Sequence, residues 1–389
     1  MLQIATLEDI KDGRVSDVYF ARTRQVLETL QINKRVTAEI VLKKFPGRYQ
    51  WGVWSGLEES LEILTGLDID VWAMPEGTIF GTNQPLMVIE GPYLEFGIYE
   101  TALLGFLCQA SGIATKAARC RIAAGEKQLI SFGARRMHPS IAPMVERNAY
   151  VGGCDGVAVM KSAELLGLEP SGTIPHALIL IMGDTVAAVK AFNEIIDKKV
   201  KRVALVDTFL DEKFEAINVA RALGADLFGV RLDTPGNRRG DFLSILKEVR
   251  WELDLRGFQN IKILVSGGID EYKILELNEV VDAYGVGTAI SSAPVMDFAL
   301  DIVAIEGEPI AKRGKPSGKK AVFRCPVCSY TVVVPHYSTP TPGCNCGQQY
   351  QAMLQPIIAS GKLIESYPGV HQIRNYVLRQ LPNFRLEPA

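Results

Sequence analysis

The amino-acid sequence predicts an α/β protein: an irregular TIM-like (β/α) barrel, preceded by an N-terminal α+β open-faced domain and followed by a small C-terminal zinc knuckle. Three observations predict it. From residue 128 onward, short apolar runs alternate strictly with helical segments, the pattern of a parallel sheet. Polar and glycine-rich residues fall at the ends of those runs, where a barrel assembles its site. Four cysteines stand as two close pairs near the C-terminus, a spacing that suits a closed tetrahedral metal site.

The elements follow in order. Residues 1–112 mix a helical pattern with strand-like runs at 36–42 and 85–89, interrupted by turns at Pro75-Glu76-Gly77 and Gly91-Pro92. A long helix is read from Glu95 to about Ala124, with apolar residues recurring at Leu103, Leu107 and Ala110. The barrel occupies 113–298, with strands at 128–132, 155–160, 177–182, 202–206, 227–232, 262–265 and 281–284. Helices are read between most of them, at 184–196, 211–223, 241–253 and 270–279. A doubly wound dinucleotide fold would want Gly-x-Gly-x-x-Gly after the first strand. Here Gly285-Val286-Gly287 comes late, and Ile290 stands where the third glycine belongs. Residues 299–389 form a C-terminal segment: a strand at 301–308, a Gly/Pro/Lys-rich connector at 312–320, the knuckle at 321–350 and a helix at 369–381.

Composition sets limits on function. Lys plus Arg number 42 against 44 acids, a formal net charge of −2, which gives no electrostatic reason to expect nucleic acid or an acidic membrane surface. The first fourteen residues alternate apolar with charged side chains, unlike a secretory signal, and no apolar run is long enough to span a bilayer. A cytoplasmic protein is expected. Of the 7 cysteines, Cys108, Cys120 and Cys154 are scattered through apolar segments and read as buried thiols in a reducing compartment. Cys325, Cys328, Cys344 and Cys346 are the expected ligands of a structural Zn2+, because four sulfurs leave no coordination position open for chemistry.

The remaining motifs point to a phosphorylated small molecule. Ser266-Gly267-Gly268 and Gly285-Val286-Gly287-Thr288 end the last two strands, where backbone N–H groups can approach a phosphate closely. A sugar 5′-phosphate is the expected ligand, with Ser266, Gly267, Gly268, Gly287 and Thr288 holding it. Phe132 offers a flat face to an aromatic ring, and Arg135 and Arg136 follow the first strand as forks for carboxylate or phosphate. Asp207 and Asp233 end two strands, where acids hold ribose hydroxyls or magnesium, with helix capping as the competing role. His176, in Gly172-Thr173-Ile174-Pro175-His176, precedes the run at 177–182, and on position alone reads as a structural histidine.

Taken together, the segments from residue 16 to about 324 resemble nicotinate phosphoribosyltransferase, a type II phosphoribosyltransferase related to the nicotinamide and quinolinate enzymes. Ser16-Asp17-Val18-Tyr19 resembles the N-terminal Asp-x-Tyr motif. Gln109 to Thr115 is similar to a helix and turn shared with the quinolinate enzyme, and Phe132-Gly133-x-Arg135 to the base-stacking and anion-binding segment. Gly172 to His176 looks like the motif whose histidine is phosphorylated by ATP, while Arg231-Leu232-Asp233 and the two glycine loops complete the set. The resemblance implies nicotinate, phosphoribosyl pyrophosphate, Mg2+ and ATP as ligands, with His176, Asp207 and Asp233 catalytic. It also implies Thr173 and Arg231 in substrate binding, and Tyr19 reaching the pyridine ring of a neighbouring subunit in a dimer or higher homo-oligomer. The four-cysteine insertion is not part of the general family pattern. The nearest alternative, a decarboxylating quinolinate phosphoribosyltransferase, would carry Thr-Arg-Lys-Thr where Phe132 to Arg136 stand. A zinc-ribbon nucleic-acid-binding protein is a more distant one, disfavoured by the charge balance.

Overall fold

The computed structural model describes residues 2–338 and 343–388; residues 339–342, inside the segment read as a knuckle, lie outside the described residues. The chain forms two compact units, Met1–Thr115 with Pro294–Pro388, and Lys116–Ala293. The first opens with helices Leu7–Lys11 and Val18–Thr29, and its first five strands are β1 (Arg35–Leu42), β2 (Gly52–Val53), β3 (Asp70–Ala73), β4 (Ile79–Phe80) and β5 (Pro85–Pro92). In β1 the alternation of side chains sends Val36, Ala38, Ile40 and Leu42 into the hydrophobic core, while Thr37 and Glu39 stand on the opposite face.

The second unit carries a six-stranded parallel sheet: β6 (Gln128–Ser131), β7 (Gly156–Val157), β8 (Arg202–Leu205), β9 (Leu227–Leu232), β10 (Lys262–Ser266) and β11 (Ala283–Val286), in the order β7-β6-β11-β10-β9-β8. The last strand pairs with the first, which is the cyclic order of a barrel. The ring is cut once, between β7 and β8, leaving a half-barrel rather than a closed one. Sequence placed a strand at 177–182 in that gap. Those residues instead form helix His176–Met182, with Pro175 before it and Gly183 at φ 73° ending it. Six apolar residues in a row do not distinguish a buried strand from a helix by periodicity, and here the flanking Pro and Gly decide. Only Ile179 of that helix is buried.

Four of the helices that cover the sheet start on an aspartate cap. Asp184 accepts from the amide of Ala187, Asp211 from Lys213, Asp241 from Ser244, and Asp270 from both Tyr272 and Lys273. Each such cap satisfies a donor the helix cannot, and contributes about 1 kcal/mol. With the helix starts fixed this way, the strand ends Leu205, Leu232, Ser266 and Val286 open into short loops. Those loops carry the polar residues.

Residues after 293 return to the first unit. Strands β12 (Phe298–Ile305), β13 (Glu308–Pro309), β17 (Gln355–Ala359) and β18 (Lys362–Leu363) extend its main sheet, while β14 (Lys320–Arg324), β15 (Thr331–Pro335) and β16 (Gln351–Ala352) form a separate one. The main sheet runs β13-β12-β1-β5-β3-β17-β18, entirely antiparallel, so the C-terminal segment completes a sheet begun by the N-terminal strands. Its core includes Trp54, Phe80 and Phe298, the indole of Trp54 standing edge-on to Phe298 at 5.4 Å. Each fully buried side chain of this size contributes roughly 1.5–3 kcal/mol relative to exposure. Among the described residues, no helix is long and apolar enough to cross a membrane.

Candidate active site

A cavity of about 600 Å³ opens at the C-terminal ends of the parallel strands, entirely within the second unit. Its wall brings together eleven residues read from sequence: Phe132, Arg135, Arg136, Thr173, Arg231, Asp233, Ser266, Gly267, Gly268, Gly287 and Thr288. They come from five segments of the chain, and hydrogen bonds tie Thr173, Arg231, Asp233 and Ser266 into one frame.

Arg231, on the last turn of β9, is the hub. Its Nη2 donates to Asp233 Oδ2 at 2.8 Å, its Nε to Ser266 Oγ at 2.9 Å and its Nη1 to Thr173 Oγ1 at 2.5 Å. Ser266 in turn donates to Asp233 Oδ1 at 2.7 Å, so both carboxylate oxygens are held. The guanidinium also lies 5.6 Å from the centre of the Phe132 ring. With three of its five N–H donors engaged, one on each nitrogen, Arg231 sets the shape of the site.

Two glycines are needed for this packing. A Cβ on Gly285 would fall 2.3 Å from Phe132 Cδ2, so the ring keeps its place only because β11 has no side chain there. Gly267, at φ 75°, lies where a Cβ would meet Asp233 Oδ1 at 2.8 Å. The helices after the two glycine loops, Glu271–Leu277 and Thr288–Ser291, have seven and four residues. Such short helices add little dipole, so the donors available to an anion are the loop N–H groups.

Arg135 and Arg136 sit on a single 3-10 turn, Ala134–Arg136, and both are exposed. Neither side chain has a hydrogen-bond or ion-pair partner among the described residues, which leaves two unspent cations on the cavity wall. Also on the wall, Ala158 and Val159 are fixed by Glu146, whose buried carboxylate accepts from both amides at 2.9 and 3.0 Å.

His176 and Asp207 form a pair of their own. His176 Nε2 stands 3.4 Å from Asp207 Oδ2, an ion-pair distance, yet neither carboxylate oxygen makes a well-aligned hydrogen bond among the described residues. The Asp207 side chain is only 2% exposed. Burial pushes its carboxyl above the usual range, His176 pulls it back, and Asp233 adds to the rise. Position in sequence suggested a histidine before a strand. The structure places it instead at the first position of a helix, 40% exposed and facing a buried acid.

The cavity also has residues that sequence reading passed over. Ser171, Asp270 and Ile269 line it, and Arg239 braces it from behind, donating from Nε to Thr234 O at 3.0 Å and from Nη2 to Ser266 O and Gly267 O at 3.1 and 2.7 Å. The pair Arg238-Arg239 was visible in the sequence, but nothing there says which of two adjacent arginines turns inward.

Tyr19 and the cysteines belong to the first unit. Tyr19 is exposed on helix Val18–Thr29 and donates to Asp17 Oδ2 at 3.3 Å. The Sγ atoms of Cys325, Cys328, Cys344 and Cys346 all lie within 4.8 Å of one another. The pairs Cys325–Cys346 and Cys328–Cys344 are each at 3.3 Å, too long for disulfides. The amide of Cys328 donates to Cys325 Sγ, and this chiefly lowers the Cys325 thiol to about 6. Four sulfurs so clustered, one of them poised as thiolate, could hold a metal ion.

Comparison with known proteins shows the family. Residues 17–111 match the family model of the quinolinate phosphoribosyl transferase N-terminal domain, and residues 113–301 that of its C-terminal domain. A nicotinate phosphoribosyltransferase of Mycobacterium tuberculosis is 34% identical over 292 residues, covering 71% of this chain and 62% of that protein. The Bacillus subtilis nicotinate phosphoribosyltransferase is 33% identical, covering 70% and 62%. The chain thus spans 62% of the length of these curated relatives. The structure of nicotinate-nucleotide pyrophosphorylase from Pyrococcus furiosus superposes with a TM-score of 0.97 at 52% identity, covering 100% of this chain and 99% of that one. Human nicotinic acid phosphoribosyltransferase shares the fold, with a TM-score of 0.73 at 18% identity over 95% of this chain and 94% of the human one. The chain belongs to the type II phosphoribosyltransferase family, that of the quinolinate and nicotinate phosphoribosyltransferases.

Proposed function

We propose that the protein is a nicotinate phosphoribosyltransferase, which joins nicotinate to phosphoribosyl pyrophosphate, releases pyrophosphate and so serves NAD biosynthesis. The observation that carries this is the cavity wall itself, which holds the aromatic face of Phe132, the unspent cations Arg135 and Arg136, two glycine loops and the acid Asp233. The pyridine ring stacks on Phe132, and Arg135 or Arg136 binds its carboxylate in a charge-assisted fork. The loops at Ser266-Gly267-Gly268 and Gly287-Thr288 hold the 5′-phosphate, and Asp233 and Asp207 face the ribose. The ring nitrogen then attacks the anomeric carbon as its bond to pyrophosphate breaks, the leaving group keeping the electron pair. The reaction needs positioning and charge neutralisation rather than a protein nucleophile.

Two ions suit residues that are present. Asp207, buried with both oxygens lacking an aligned donor, fits a Mg2+ site, and the ion would neutralise the departing pyrophosphate. The four cysteines fit structural Zn2+: zinc–sulfur bonds of about 2.3 Å put tetrahedral sulfurs roughly 3.8 Å apart, close to the separations here. ATP coupling rests on His176. Asp207 beside Nε2 favours the tautomer protonated there, leaving Nδ1 with the lone pair that accepts a phosphoryl group. Acid-labile, alkali-stable labelling by γ-labelled ATP in the wild type, absent from His176→Ala, is the expected result. Equal labelling of both removes His176 from the role. Tyr19 acts across a homodimer, and mixed Tyr19→Ala and Asp233→Ala chains regain activity if the site is shared.

The closest second reading is decarboxylating transfer to quinolinate, favoured by the names of the matching family models. Against it, the loop after β6 is Phe-Gly-Ala-Arg-Arg, and the cavity wall holds no lysine among the described residues. Purified protein with phosphoribosyl pyrophosphate and magnesium, offered nicotinate, nicotinamide or quinolinate with and without ATP, decides between them. Turnover of quinolinate with release of carbon dioxide would overturn the nicotinate assignment.

A further inference from the structure

Arg239 stands out among the charged residues of the second unit because it is buried, 8% exposed, with no carboxylate within ion-pair distance among the described residues. Its Nε and Nη2 are spent on three carbonyls from two different loops: Thr234 after β9, and Ser266 and Gly267 after β10. Phe242 covers one face of the guanidinium at 4.3 Å from the ring centre. Nη1 makes no hydrogen bond among the described residues. Carbonyl dipoles ease the burial of a cation but do not cancel its charge, and an isolated buried charge is costly. Burial draws the guanidinium down from its ordinary value, and Asp233 and Asp207 support it only from a distance.

The guanidinium runs alongside the two glycines of the loop. A Cβ on Gly267 would lie 3.3 Å from its Nη2, and one on Gly268 would lie 3.8 Å from Nη1. Both glycines line the cavity. The cation is therefore placed against the same stretch of backbone that offers N–H groups to an anion, with one nitrogen uncommitted.

We infer that Arg239 is an additional anion-binding residue of this cavity, a preset positive charge behind the Gly267-Gly268 backbone against which the phosphate of a sugar phosphate binds. The inference rests on the reading of the cavity as a sugar-phosphate site. The missing counter-ion of this buried cation is the ligand. The carbonyl clamp holds the charge in place beforehand, so little side-chain entropy is lost when the phosphate arrives.

Ribose 5-phosphate is the probe, titrated calorimetrically into the full-length protein beside nicotinate as a control. Arg239→Gln keeps donors for the carbonyls but loses the charge; it should bind ribose 5-phosphate at least tenfold more weakly, with nicotinate affinity within twofold of wild type. Arg239→Lys restores the charge and should recover ribose 5-phosphate binding to within about threefold of wild type. Wild-type-like binding in Arg239→Gln overturns the inference while leaving the sugar-phosphate site intact. Arg239→Lys binding as weakly as Arg239→Gln also overturns it, since the residue would then serve the loops alone. Absence of ribose 5-phosphate binding to the wild type would instead sink the sugar-phosphate reading, and the inference with it.

Discussion

At the strand ends, Arg231, Asp233, Ser266 and Thr173 are bonded to one another. At the cysteine cluster, four sulfurs meet within 4.8 Å, and only weak thiol contacts of 3.3 Å link them. The first region is a frame whose polar atoms satisfy each other, so its shape does not wait for substrate. The second brings together groups that repel once ionised and gain a strong common partner only from a cation. Preorganisation is thus distributed unevenly: the cavity carries it in side-chain hydrogen bonds, and the cluster would draw it from a bound metal ion. The difference can be broken or sharpened by perturbing each region and reading the other.

The largest effect is expected from metal removal. Zinc binding in small cysteine sites is worth on the order of 10 kcal/mol, so a strong chelator, or Cys328→Ser, should melt the sheet β15-β14-β16 at lower temperature. Elemental analysis should find about one zinc per chain. Native Cys325 and Cys344 reacting freely with an alkylating agent would refute the metal reading.

Next is the frame itself. Asp233→Ala leaves Arg231 and Ser266 without their shared acceptor, and hydrogen bonds to a charged group are worth about 1.5–3 kcal/mol. We expect kcat/KM to fall by about a hundredfold or more, while zinc content stays at the wild-type value. A loss of zinc in that variant would mean the two regions are not independent.

Arg135→Ala removes a cation that nothing in the frame uses. Weakened nicotinate binding by about 2–3 kcal/mol with an unchanged melting temperature is expected. Unaltered kinetic constants would assign the arginine to solvent.

The smallest effect concerns pH. Because burial raises the Asp207 carboxyl above its ordinary 3.8, the folded chain holds this proton more tightly than the unfolded one. Stability from this group is therefore full below 3.8 and is lost as pH rises through the folded value. Asp207→Asn should be slightly more heat-stable than wild type at pH 7, equal to it near pH 3, and less active throughout. A variant less stable than wild type at pH 7 would show that Asp207 is better paired than its surroundings suggest.

Much of this was legible in the sequence because each feature had a local cause. The helical segments read from residues 184, 211, 241 and 270 start in the structure on aspartate caps at those positions, and the polar strand ends marked the cavity rim. Helix His176–Met182 was misread as a strand, since its apolar run is exposed where an amphipathic pattern would have revealed the helical period. Nor could the sequence show that the C-terminal strands complete the N-terminal sheet, because pairing such as Val71 with Ile358 is long-range and leaves no local trace. Arg239 was missed for the same reason: its three acceptors are backbone carbonyls, which every residue possesses.

The cut in the parallel ring between β7 and β8 has a bearing on how such a chain can change over time. In a closed barrel, lengthening one connection strains a circle of staves whose registers are mutually fixed. Here the five ladders joining the six strands form an open row, and residues 158–201 join its two ends without belonging to any ladder. Insertions or deletions beyond the cavity-lining residues of that stretch alter no strand's partner. The seam is therefore the place where descendants of this fold can acquire further helices while inheriting the cavity rim unchanged.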